Sequence, residues 1–150
     1  MPELIDQYFL VDRRDALFVT QFLDRYLPER EPTSADYFIP SINNIDGKDI
    51  EIVLKFYEHY PNEKEIIYLT NLDVNSLITH AILSYTDDAK MVLGISAIGN
   101  YHDLRENLRI HYDIKSFLNT TITCMTVETP PPTNSIEFIE FAKLRSRFET

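Results

Sequence analysis

A chain of 150 residues that is 44% hydrophobic and 25% charged has the size and apolar content of one domain with its own core, and is too apolar for a disordered segment. Its formal net charge of −10 repels phosphate backbones and anionic lipid headgroups, which excludes nucleic acid and membrane surfaces as expected partners and favours a basic protein. No run approaches the roughly 20 consecutive apolar residues of a membrane span. Glu3 and Asp6 stand where a secretory leader carries cations, and the single cysteine, Cys124, forms no internal disulfide; both features point to a cytoplasmic chain.

The first helix is expected from Asp12, whose carboxylate can cap the opening turn, to Leu27, with Pro28 ending it. Ala16, Val19, Phe22, Leu23, Tyr26 and Leu27 share one face of it. Residues 29–34 read as a loop and residues 36–39 as a short strand stopped by Pro40. After a turn at Asp46-Gly47, residues 48–60 show the clearest helical period in the chain. Ile50, Val53, Leu54 and Tyr57 fall at i, i+3, i+4 and i+7, with Glu51 and Glu58 on the outer face and Pro61 at the end.

Strands are expected over 65–70, 77–85 and 90–98, the last two forming an antiparallel hairpin through Thr86-Asp87-Asp88-Ala89. Both alternating sets of 90–98 are apolar enough to make that strand central: Met91, Leu93, Ile95 and Ala97 on one side, Val92, Gly94, Ser96 and Ile98 on the other. Asn100 caps a third helix with Tyr101, Leu104, Leu108 and Tyr112 inward and His111 at the edge. Residues 120–128 form a strand rich in β-branched side chains. Pro130-Pro131-Pro132 is a stiff spacer. A last helix over 135–148 is capped by Asn134 or Ser135, with Asn134 and Glu137 in a capping-box pattern. A mid-chain hairpin argues against an alternating parallel fold. The expectation is a single α+β domain over residues 1–150, with a mostly antiparallel sheet of about four to five strands and about four helices. Leu23, Val53, Leu54, Leu93, Ile95, Leu104 and Leu108 are its expected core.

Catalytic signatures are missing from the sequence. Three glycines, Gly47, Gly94 and Gly99, cannot make the clustered loops that cradle phosphates. Gly94-Ile95-Ser96-Ala97-Ile98-Gly99 departs from a nucleophile elbow, because its second glycine comes one residue late and Ser96 sits inside the strand. Asn44-Ile45-Asp46-Gly47 fails as a calcium loop, with Ile42 and Val53 at two ligand positions. His59, His80, His102 and His111 are scattered, and His102 with Glu106 has no third ligand partner. Cys124 reads as a small buried hydrophobe. No catalytic residue, cofactor or metal is expected.

The terminal helix spreads Phe138, Ile139, Phe141, Ala142, Leu144 and Phe148 over a wide arc. Either neighbours cover it on two sides, or part of it awaits a partner or a second copy of the chain. Residues 1–63 hold 13 acids and 6 bases against 11 and 8 in residues 64–150, so a basic partner should prefer the N-terminal half. The expected function is a non-enzymatic protein-interaction domain, an acidic adaptor, inhibitor or immunity-type protein. Glu51, Glu58, Phe138, Phe141 and Phe148 are its candidate partner-binding residues, the phenylalanines also offering a homodimer surface. The alternative is a small enzyme or small-molecule-binding domain with a pocket between sheet and helices.

Overall fold

A computed structural model describes residues 3–33, 50–100, 102–127 and 129–145. Their order is β1 (Glu3–Val11), α1 (Ala16–Tyr26), β2 (Arg30–Pro32), α2 (Ile50–His59), β3 (Glu65–Asn71), β4 (Ile78–Tyr85), β5 (Met91–Gly99), α3 (Arg105–Leu118), β6 (Thr123–Thr126) and α4 (Ser135–Lys143). The strands form a single antiparallel sheet in the order β2-β3-β4-β5-β1-β6. The fold is α+β, with one strand more than expected. The expected strand at 36–39 and the Asp46-Gly47 turn lie outside the described residues.

The largest departure from the sequence reading is β1, a strand in the middle of the sheet that was not anticipated. Its two alternating sets, Ile5, Phe9 and Val11 against Tyr8 and Leu10, are buried on opposite faces. Asp6 and Gln7 interrupt the apolar run and hide it, yet both are bonded within the fold. β2, expected as loop, is a three-residue edge strand in which Glu31 pairs Thr70. Pro32 has no N–H to offer a further strand, which blunts that edge. The expected cap of α1 also shifts by three residues, from Asp12 to Asp15, whose carboxylate accepts from the Phe18 amide at 3.2 Å.

One sheet face is covered by α1, α2 and α3. Phe9, Leu83, Leu93 and Ile95 meet Phe22, Leu23, Val53, Leu54 and Ile114 there in one core. Arg14 is buried at its border. Its guanidinium donates to the carbonyls of Pro61 (2.7 Å), Thr86 (3.1 Å) and Glu63 (3.0 Å) and stacks on the Tyr85 ring. Five of the seven expected core residues are fully buried; Leu104 and Leu108 are half-buried.

Those two differ because α3 turns another face inward, burying Asn107, His111, Ile114 and Leu118 and leaving Tyr112 48% exposed. Gln7 Nε2 donates to the Asn107 carbonyl (3.2 Å) and Oδ1 (3.0 Å). Its Oε1 must then accept, which puts a proton on His111 Nδ1 at 3.1 Å, while Nε2 of the ring bonds the Thr123 hydroxyl at 2.9 Å. A reading by hydrophobic period assigns such polar residues to solvent. Here they partner one another in the interior.

Among the described residues, the opposite face carries only α4. Phe138 and Ala142 are buried on Tyr8, Leu10, Val92 and Cys124, with Ile139 and Phe141 packed alongside. Asn134 caps the helix, its Oδ1 accepting from the amides of Ile136 (2.9 Å) and Glu137 (3.3 Å).

Candidate functional site

Cross-strand partners in a sheet point to the same face, so the register fixes which side chains stand in a row. Along the α4 face, one row runs Thr126, Asp6, Ser96, His80, Thr70, Glu31 across all six strands. The row on one side of it is Cys124, Tyr8, Gly94, Ile82, Tyr68. On the other side Leu4 pairs Ile98, whose amide donates to the Leu77 carbonyl at 2.8 Å. The core under α4 takes in Tyr8, Leu10, Ile82, Val92 and Cys124. Beyond it, Leu4, Leu77 and Tyr68 are 38%, 39% and 43% exposed around the half-buried Asp6, His80 and Thr70. This is the open half of the sheet.

Its geometry is held from within. Ser96 Oγ donates to Asp6 Oδ1 at 2.6 Å. A register shift between Ile78 and His80 inserts Thr79, whose hydroxyl donates to the Ser96 carbonyl at 3.1 Å and meets His80 Nδ1 at 2.9 Å. The Tyr8 ring lies flush on Gly94, where an added Cβ would stand 2.7 Å from Tyr8 Cδ1, so only glycine fits without displacing the ring. Tyr8 donates from its hydroxyl to the Thr129 carbonyl at 2.9 Å. Burial first, then the Asp6 carboxylate, raise the Tyr8 hydroxyl far above the usual tyrosine range, and the same two causes raise Tyr68.

Aspartate, serine and histidine stand side by side here, but in the wrong order for nucleophilic catalysis. A triad needs the imidazole between hydroxyl and carboxylate. Ser96 occupies the middle and donates its hydroxyl hydrogen bond to Asp6, and its side chain is buried. The row can instead offer hydrogen bonds and negative charge: Asp6 and Glu31 are its ionisable acids, and it contains no lysine or arginine. Past Leu77 and Ile98 the surface dips into a hollow of about 270 Å³ reaching Asp103 and Arg105. Those two are paired at 2.8 Å, and the Arg105 hydrogen bonds draw Asp103 down to about 2.

The sequence-derived partner residues occupy different places. Glu51 is exposed on α2, while Glu58 Oε1 accepts from the Ala16 amide at 2.9 Å, tying α2 to the start of α1. Phe138 is buried under α4, and Phe141 is half-buried between Phe138 and Arg145, whose guanidinium lies 3.7 Å from the ring centroid. Phe148 lies outside the described residues. The sheet separates the two glutamates from the two phenylalanines, so no single surface gathers them.

Of the other singled-out residues, Cys124 is a buried free thiol. His102 is exposed and precedes α3, so the helical spacing to Glu106 does not form. Among the described residues no three metal-binding side chains converge, and no helix is long and apolar enough to cross a membrane. Sequence reasoning missed Asp6, Tyr68 and Glu31 as neighbours of His80 and Ser96. Their only signal is alternation within separate strands, and the register that aligns them is a tertiary property. The chain matches no protein-family model, no curated protein and no solved structure.

Proposed function

We propose that the chain is a non-enzymatic protein-interaction domain that takes a basic, partly apolar segment of a cytoplasmic partner on the open half of its sheet. One observation carries this reading: exposed Leu4, Leu77 and Tyr68 surround a row that holds the acids Asp6 and Glu31 among hydrogen-bonding side chains. Apolar side chains of a partner gain by covering the leucines and the tyrosine, while its lysines or arginines find carboxylates. The overall charge of −10 extends the attraction beyond contact and speeds encounter. The lone buried thiol of Cys124 suits a reducing compartment.

The test is a titration of the 15N-labelled chain with an alternating lysine–valine peptide and with its glutamate–valine counterpart. The lysine peptide should shift amides of β1, β3, β4 and β5 that flank Leu4, Tyr68, Leu77 and His80, with affinity falling as salt rises. Tyr68→Ala and Glu31→Lys should each weaken it several-fold without unfolding the chain, because both side chains are exposed. Equal binding of the glutamate peptide, or shifts confined to α1 and α2, would overturn the reading.

A further inference from the structure

A cavity outside the open half lies at the far end of the sheet, where β1 leaves, β5 begins and the α3–β6 link passes near α4. Its volume is about 380 Å³, toward the lower end of the roughly 300–1,000 Å³ usual for small-molecule sites. It sits at the seam of the two cores. Phe18 and Leu118 come from the core under the three helices, and Leu10, Ile122 and Ile139 from the core under α4. Apolar side chains of both cores therefore share its wall with the polar Asn119, Thr120 and Thr121, and Arg13 and Lys90 line it with Asp12 as the lining acid. In a chain of net charge −10, this lining carries more base than acid.

Neither cation is used up by its partner. Arg13 lies on the Phe18 ring at 4.7 Å, and its Nε and Nη2 hold Asp15 at 2.9 and 3.0 Å, which leaves further guanidinium N–H groups to donate. Lys90 Nζ is 3.6 Å from Asp12 Oδ1, an ion pair too long to be a hydrogen bond. We infer that this cavity binds a small monocarboxylate with an apolar body, the body between Phe18, Leu118, Leu10 and Ile139 and the carboxylate between Arg13 and Lys90. An inorganic phosphate would leave the apolar walls unused, and an amine would meet two like charges.

The probe is 3-phenylpropionate, titrated into the full 15N-labelled chain beside 3-phenylpropylamine and inorganic phosphate. The carboxylate should saturate, with shifts centred on residues 10–13, 118–122 and Ile139. Lys90→Gln and Arg13→Gln should each weaken it about tenfold, the loss expected for a charge-assisted hydrogen bond. Ile139→Trp, which fills the cavity, should abolish binding while the folded amide dispersion remains; Lys90→Gln, at an exposed ammonium, keeps the test open if either other variant unfolds. Glu31→Lys, on the open half of the sheet, should leave it unchanged. The inference fails if the amine or phosphate binds as tightly, if the shifts spread over the surface, or if Lys90→Gln binds like the native chain.

Discussion

The two faces of the sheet are built on different principles. Under α1, α2 and α3, fully buried Phe22, Leu23, Leu54, Leu83, Leu93 and Ile95 make a continuous core, and hydrophobic burial holds those helices down. On the other face α4 buries the apolar Phe138 and Ala142 on the sheet, and its start, with the buried Ser135, is latched by polar groups of the β4–β5 turn. Asn134 Nδ2 donates to Asp87 Oδ1 at 2.9 Å, the Asp87 amide donates to the Thr133 carbonyl at 2.9 Å, and the Ser135 amide and hydroxyl both donate to the Asp88 carboxylate. A face that carries stability must be covered from end to end. A face relieved of that task can leave a polar row open and hold its one helix by a few directional bonds.

The largest expected effect tests whether the faces are separable. Leu54→Ala empties a fully buried position beneath the three helices and should lower global stability by about 2–5 kcal/mol in a denaturant titration. Phe138→Ala removes the main anchor of α4. Its effect should concentrate in amide exchange of α4 and β6, with β3, β4 and β5 remaining protected. Equal loss of protection throughout the sheet in both variants would make the two faces one cooperative unit and dissolve the contrast.

The covered face is also the part most visible in the sequence. α1 and α2 bury Val19, Phe22, Leu23, Val53, Leu54 and Tyr57 at the expected helical spacing, because side chains three and four apart along a helix share a face wherever the helix docks. The β4–β5 hairpin is equally local. What stayed hidden depends on distant partners. Gln7, Asn107 and His111 are interior only because they satisfy one another across α3 and β1. Asp6 belongs beside Ser96 only once β1 enters between β5 and β6. The candidate site is made of such pairings, so its residues were in view singly and their conjunction was not.

The polar latch predicts a middle-sized, pH-dependent effect. Burial by itself would raise Asp88, but the hydrogen bonds from Ser135 outweigh it and hold the carboxyl below its ordinary value. A carboxylate depressed in the folded state stabilises above its unfolded value, about 3.9, and loses that contribution as pH falls through the folded value. Exchange of the α4 amides should accelerate below about pH 4 while the core under α1 and α2 stays protected. Asp88→Asn should bring much of that loosening to neutral pH, at about 1 kcal/mol, the usual scale of a lost helix cap, and flatten its acid dependence. An α4 whose exchange keeps its native pH profile in Asp88→Asn would remove the latch from the account.

The smallest expected effect concerns the outer side of α4, where Ile136 and, at the C-cap, Leu144 are 70% and 76% exposed, a little over two turns apart and about 80° round the helix from each other. Their burial contributes little to the monomer, so Ile136→Ser and Leu144→Ser should each change stability by no more than about 0.5 kcal/mol. That outer side is the surface α4 has left for a second copy of the chain, since Phe138 is committed inward and Phe141 is half-covered by Arg145. In a two-fold dimer whose axis is perpendicular to α4, each copy would set Ile136 against Leu144 of its partner, since the two helices then run antiparallel. Sedimentation of the native chain over a wide concentration range separates the cases. A monomer throughout leaves both residues as isolated surface apolar groups, which are common and require no partner. A dimer that Ile136→Ser and Leu144→Ser each dissociate, without disturbing α4 amide exchange in the monomer, would make the lightly held helix an assembly surface and leave the open half of the sheet free for the basic segment proposed to bind there.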